Sequence, residues 1–133
     1  MIGLDTNVLV RYITQDEPAQ AAAATELLES RISTEQPGHV ALVVLTELVW
    51  VLDRGYGYAK PDLIRVVREL LSVRELNIEK ADEAWAAVQA FETGQADFAD
   101  YLIGISGRSA GCSTTFTFDR RAARSRQHTL LHY

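Results

Sequence analysis

Cysteine is almost missing: Cys112 stands alone among 133 residues, which excludes an internal disulfide and any multi-cysteine zinc centre. Long hydrophobic runs are missing too. The longest, Val40 to Leu45, is far below the roughly 20 residues that cross a bilayer, and Met1 leads straight into structure without a basic n-region or an h-region. The expectation is a reduced, soluble, cytoplasmic protein with no membrane contact. There is no surplus of positive charge either. Thirteen Lys and Arg against 18 Asp and Glu leave a net charge of −5, which excludes a general polycation but leaves room for a nuclease with a local basic face. What is present, 47% hydrophobic and 23% charged residues, is the composition of a folded globular chain. The length suits one domain, expected over residues 1–133, large enough to bury a core unaided.

Met1 to Leu4 reads as a short buried strand ending at Asp5, with Val8 to Tyr12 helical behind it. Asp16-Glu17-Pro18 reads as a helix start with Asp16 as the cap. Ala23, Leu27, Leu28 and Ile32 recur at helical spacing, which predicts a helix from Pro18 to Ile32. His39 to Val44 is β-branched and continuously apolar, as a central parallel strand should be. Helices are expected over residues 45–54, 61–71, 79–93 and 97–109, with strands near Val73 to Ile78 and Ser113 to Phe118. Alternating strands and helices predict an α/β fold with a central, mostly parallel sheet.

Ligands of open parallel sheets bind beyond the carboxyl ends of the strands. Five acids occupy positions of that kind: Asp5 after the first strand, Glu47 near the start of the helix after the second, Asp97 and Asp100 one turn apart at a helix start, and Asp119 after the last strand. Carboxylates brought together repel one another unless protons or a cation neutralise them. Oxygen ligands without cysteine or clustered histidine select Mg²⁺ or Mn²⁺ over zinc, and a carboxylate-held cation with open positions suits phosphoryl chemistry. Each acid also has a structural use. Asp5 can cap a turn, Asp97 and Asp100 can form an N-cap and third-position pair, and Asp119 can pair with Arg120 and Arg121. Glu47, set among Leu45, Leu48, Val49 and Val51, calls for a partner.

Leu4-Asp5-Thr6-Asn7-Val8-Leu9, Leu45-Thr46-Glu47-Leu48-Val49-Trp50-Val51-Leu52, Asp97-Phe98-Ala99-Asp100-Tyr101-Leu102-Ile103 and Thr117-Phe118-Asp119-Arg120 together resemble the PIN-domain ribonucleases, and more narrowly the VapC toxins of toxin–antitoxin pairs. The four blocks fall in order from residue 1 to about 125. The resemblance implies a three-layer α/β/α fold and a Mg²⁺-dependent endoribonuclease, with Mn²⁺ substituting and a structured RNA such as a tRNA loop as substrate. Asp5, Glu47 and Asp100 match the catalytic acids, with Asp119 as a more variable fourth. Asp5 and Asp100 would hold the metal, and Glu47, Asp97 and Asp119 would act through water. Asn7 matches a residue that orients Asp5, Asp97 an additional acid, and Thr117 a hydroxyl beside the site. The resemblance further implies a homodimer and a cognate antitoxin, for which the helices over 45–54 and 60–71 offer apolar stripes with Trp50, Leu52 and Val67 as contacts. Gly104 and Gly107 depart from the alanine of many relatives and should loosen their helix.

Residues 108–126 hold five arginines against one acid, Asp119, so Arg120, Arg121 and Arg124 are candidate phosphate contacts for RNA. His128 and His132 are read as part of a frayed end, Trp50 as core, and Cys112 as a small buried hydrophobe. Two other classes compete. One is a non-catalytic acidic binding module. The other is a phosphatase with Asp5 as nucleophile, against which Asn7 counts because that chemistry places a second aspartate there.

Overall fold

The computed structural model describes residues 1–133 as two compact units, residues 1–81 and 82–133. In the first, β1 (Ile2–Gly3), β2 (Gly38–Val40) and β3 (Leu76–Ile78) form a parallel sheet in that order. Parallel neighbours require crossover connections. Helices α1 (Thr6–Thr14) and α2 (Pro18–Glu26) supply the first, and α3 (Leu42–Tyr56) and α4 (Lys60–Ser72) the second. β2 pairs on both sides, Gly38 opposite Ile2 and Leu76. Gly38 is there because a Cβ would sit 2.8 Å from a Leu4 methyl and 2.9 Å from one of Leu76.

α3 buries Leu45, Leu48, Val49 and Leu52, spaced three and four apart along one face. Wholly covered leucines of this kind stabilise by roughly 1.5–3 kcal/mol each. Gly57 ends α3 in the left-handed region, φ +67°, where its N–H returns to the Asp53 carbonyl. α4 buries Leu63, Ile64, Val66 and Val67.

The second unit holds α5 (Ala81–Thr93, all but its first residue), α6 (Phe98–Ser109), β4 (Thr115–Thr117), a 3-10 turn (Ala122–Arg124) and β5 (His128–Leu130). β4 and β5 are parallel, Thr115 opposite His128. Its core includes Val88, Phe98 and Leu102, with Phe91 and Phe98 edge to face, centroids 6.1 Å apart. Six helices and wholly parallel pairing are what the expected α/β/α class requires. No helix is long and apolar enough to cross a membrane.

Several local expectations are corrected. The cap of α2 is Glu17, whose carboxylate accepts the N–H groups of Ala19 and Gln20, while Asp16 is occupied by the Thr14 and Tyr56 hydroxyls. The helix stops at Glu26 and widens into a π-turn, Leu27–Arg31; Ala21 and Ala24 are buried rather than Ala23. The strand expected from His39 to Val44 ends at Val40, and Val43 and Val44 already belong to the first turn of α3, where the Glu79 carboxylate accepts the Leu42 N–H that the helix leaves without a partner. Trp50 is 60% exposed and Cys112 is exposed. Leu52 and Val67 are sealed in their own core and cannot serve as partner contacts. The end expected to fray is ordered: β5 pairs with β4, and His128 is buried. Gly104 and Gly107 mark close approaches rather than loosening. A Cβ on Gly104 would lie 2.6 Å from His128 Cε1, and one on Gly107 would lie 2.8 Å from Thr115 Oγ1.

Candidate active site

In the first unit, the chain leaves β1 at Gly3 and enters α1 at Thr6, which makes Asp5 the N-cap. The extended backbone of Asp5 turns its carboxylate toward the first turn, where it accepts the Thr6 N–H at 2.8 Å. Carboxylates are favoured there because the first N–H groups of a helix lack partners. Thr6 is buried, and its hydroxyl donates to Glu47 on α3. One residue therefore donates to both acids, through its backbone to Asp5 and through its side chain to Glu47. Glu47 has the partner that its apolar neighbours called for, yet its side chain lies on the exposed face of α3 with Val43 and Trp50. The hydrogen bond to Asp5 comes from Thr6 and not from the Asn7 side chain.

In the second unit, Asp97 and Asp100 occupy the N-cap and third positions of a capping box at the start of α6. The Asp97 N–H donates to the Asp100 carboxylate at 3.2 Å. Burial raises the pKa of Asp100; the Asp97 N–H opposes that shift, and the charges of Asp119 and Asp97 add to it. Burying a carboxylate disfavours its ionised form, and a like charge nearby does the same. Asp119 follows β4 and accepts the N–H groups of Ala122 at 3.1 Å and Arg121 at 2.7 Å, which lower its pKa. Its fixing partners are these backbone groups rather than a guanidinium. Thr117 Oγ1 accepts the Asp119 N–H at 3.0 Å, so Thr117 helps set the loop carrying this acid. His128 lies where its charge, when present, favours the ionised forms of both Asp100 and Asp119. Its Nδ1 is 2.6 Å from Ser125 Oγ. Arg120, Arg121 and Arg124 are exposed.

Each unit thus contributes its own group of acids: Asp5 and Glu47 linked through Thr6, and Asp97, Asp100 and Asp119 sharing one electrostatic neighbourhood. Within neither unit do three or more His, Cys, Asp or Glu side chains stand close enough to hold an ion by themselves. The donors are nonetheless all oxygen, and the raised pKa of Asp100 is a shift that a nearby positive charge would oppose, so the residues present fit a hard divalent cation. Sequence reasoning missed Thr6 and His128. For Thr6 the available signal was a hydroxyl between two polar residues at a helix start, which must find a partner once buried. For His128 there was no local signal, since it is buried by pairing with β4 and by close approach to Gly104.

Comparison with known proteins bears on these groups. Residues 2–126 match the family model described as PIN domain. The chain is also 25% identical over 118 residues to a VapC ribonuclease of Aquifex aeolicus (strain VF5), covering 89% of this chain and 87% of the relative. No solved structure matches significantly. With the family match spanning nearly the whole sequence, strand-end acids included, the chain belongs to the PIN domain family.

Proposed function

We propose that this protein is the endoribonuclease toxin of a toxin–antitoxin pair, working as one domain over residues 1–133. It hydrolyses RNA phosphodiesters, with tRNA the favoured substrate. Its likeness to a VapC ribonuclease over 89% of its length supports the reading. The observation that carries it is Asp100. A partly buried carboxyl whose pKa is raised by burial and by the charge of Asp119, against the Asp97 N–H that lowers it, is a candidate to receive a cation.

Asp5 and Asp100 would hold Mg²⁺, or Mn²⁺ in its place, with Glu47, Asp97 and Asp119 acting through water. The cation supplies Lewis-acid stabilisation of the charge that develops on the phosphate. The chain's own groups do the rest. Thr6 keeps Asp5 and Glu47 in fixed orientation by donating to both, and the second Glu47 oxygen remains available to orient an attacking water or accept its proton. Backbone N–H groups hold Asp119 against rotation. Arg120, Arg121 and Arg124 attract the phosphate backbone.

The partners proposed are a second copy of the chain and an antitoxin, all cytoplasmic. A groove of about 620 Å³ in the first unit, floored by Tyr12, Ile13, Val66, Leu70 and Val73 and edged by Glu29 and Glu69, suits an amphipathic antitoxin helix with basic flanks. The test is cleavage of total tRNA by the purified protein. Activity should vanish in EDTA and return with Mg²⁺ or Mn²⁺. Full activity in EDTA, or activation by zinc alone, would overturn the carboxylate–metal reading.

A further inference from the structure

The proposed mechanism gives no role to His128, a buried polar side chain of the second unit. A histidine is costly to bury unless its ring nitrogens find partners, and this one joins two segments that carry acids. The first is α6. Asp100, Gly104 and Gly107 are spaced four and three apart, so they share one face of the helix. That face presents Asp100 near its start and then rests on the β4–β5 pair. Gly104 lies against the His128 ring and Gly107 against Thr115, the two residues opposite each other in the strand register. A side chain at either glycine would push α6 away, since a Cβ would stand 2.6 Å from His128 Cε1 or 2.8 Å from Thr115 Oγ1.

The second segment is the turn after Asp119. The Asp119 carboxylate accepts the N–H groups of Arg121 and Ala122. The 3-10 turn opened there closes at Ser125, whose N–H returns to the Ala122 carbonyl at 2.9 Å. The Ser125 hydroxyl in turn stands 2.6 Å from His128 Nδ1. One ring is thus bonded to the far end of the turn that grips Asp119 and packed one helical turn beyond Asp100. Its charge, when present, acts on both carboxyls, in keeping with that placement. A leucine would fill similar space; a ring nitrogen turned to Ser125 is what packing alone does not ask for.

We propose that His128, acting through Ser125, is a positioning residue for the acids of the second unit: it locks the Asp119 turn against α6 and so sets where Asp119 stands relative to Asp100. The proposal rests on the nuclease reading and adds to it two residues that act without being ligands.

The test begins with amide exchange, followed by NMR in EDTA, which needs neither substrate nor metal. Losing one hydrogen bond shifts a local opening equilibrium by about fivefold. The Arg121 and Ala122 N–H groups should therefore exchange about fivefold faster in Ser125→Ala and in His128→Leu, while those of α5 keep the parent rates. Ser125→Thr restores a hydroxyl and His128→Asn restores a polar atom near the Nδ1 position, and each should recover most of the protection. Calorimetric titration with Mn²⁺ and cleavage kinetics follow. Changing a group that orients a metal ligand costs about tenfold or more, so Ser125→Ala and His128→Leu should each lose about tenfold in Mn²⁺ affinity and in kcat, with KM for RNA kept. The double variant should lose little more than either single one, because the two side chains act as one device. Thermal melts establish that each variant is folded.

Unchanged exchange at Arg121 and Ala122 in both folded variants overturns the proposal. So does exchange quickened evenly over α5, α6 and the strands, which would mark His128 as a stability residue only. Faster exchange in the turn with Mn²⁺ affinity and kcat as in the parent overturns it as well. Failure of the parent protein to bind Mn²⁺ or to cleave RNA would sink the nuclease reading, and exchange at Arg121 and Ala122 would still judge whether His128 holds the turn.

Discussion

The two groups of acids are held by different means. In the first unit a single threonine stands between its carboxylates as donor to both, so Asp5 and Glu47 are tied to one residue. In the second unit no donor side chain intervenes. Asp97, Asp100 and Asp119 are steadied by backbone N–H groups, and Asp100 carries the residual tension as a raised pKa. One half is joined by a side-chain donor, while in the other burial and the charge of Asp119 raise the pKa of Asp100 against the Asp97 N–H. A partly buried carboxyl with a raised pKa at a helix start is a candidate functional acid as well as a member of a capping box.

The comparison is broken most severely at Asp100. Asp100→Asn removes a proposed ligand charge but keeps an oxygen to accept the Asp97 N–H. Changing a residue that only orients a metal ligand already costs about tenfold to a hundredfold, so cleavage by Asp100→Asn should fall by more than about a hundredfold. Its Tm at neutral pH should hold or rise. Asp5→Asn should be similarly inactive. Asp97→Asn should keep measurable activity, because asparagine caps a helix nearly as well. An active Asp100→Asn beside a dead Asp97→Asn would exchange their roles.

In the first unit, Thr6→Val deletes the hydroxyl that reaches Glu47 while sparing the N–H to Asp5. A hydrogen bond of this kind contributes about 1 kcal/mol net. Urea unfolding should register a loss of that order, and kcat/KM should drop about tenfold as Glu47 loses its orientation. Thr6→Ser should recover most of both. Equal effects of valine and serine would mean that packing, not the hydroxyl, is what Thr6 contributes.

Gly104 ties the crowded group to β5. A methyl there would press on the His128 ring at 2.6 Å and on Gln127 at 2.8 Å. Overpacking of this kind costs about 1–3 kcal/mol, against at most about 1 kcal/mol regained in helix propensity. Gly104→Ala should therefore lower the Tm although it improves the helix, and a second change, His128→Ala, should recover part of the loss. A stabilising Gly104→Ala would show that β5 yields freely.

How far this was legible in the sequence follows from the range of the interactions involved. Asp5 and the Asp97–Asp100 pair sit at element boundaries set by neighbours within four residues, so their positions were readable as caps and strand ends. Glu47 was readable as an acid in need of a partner, but not that Thr6, 41 residues away, supplies it. A strand reaching Val43 and Val44 failed because propensity cannot tell the end of a buried strand from the first turn of a buried helix. His128 was illegible because its burial comes from pairing with β4 and from the absence of a side chain at Gly104, which join separate segments and leave no local pattern. Exposed Cys112 and Trp50 failed in the other direction, since an apolar residue is not obliged to be inside.

The smallest effect sets two acids of the second unit, Asp100 and Asp119, against each other through pH. A raised native pKa, as at Asp100, gives stability that is present below the ordinary carboxylate range and lost as pH rises through the native value. Asp100→Asn should therefore be the more stable protein at neutral pH, its advantage shrinking as the solution is acidified. A lowered native pKa, as at Asp119, gives stability that is present above the ordinary range and lost as pH falls through the native value. Asparagine at 119 can still accept the N–H groups of Arg121 and Ala122, so Asp119→Asn isolates the charge. It should melt below the parent at neutral pH and converge with it in acid. The two differences, plotted from thermal melts in EDTA at low ionic strength where surface charges are least screened, should run with opposite slopes. Parallel slopes would mean that Asp119 shares the tension of Asp100 instead of being relieved of it by its backbone donors.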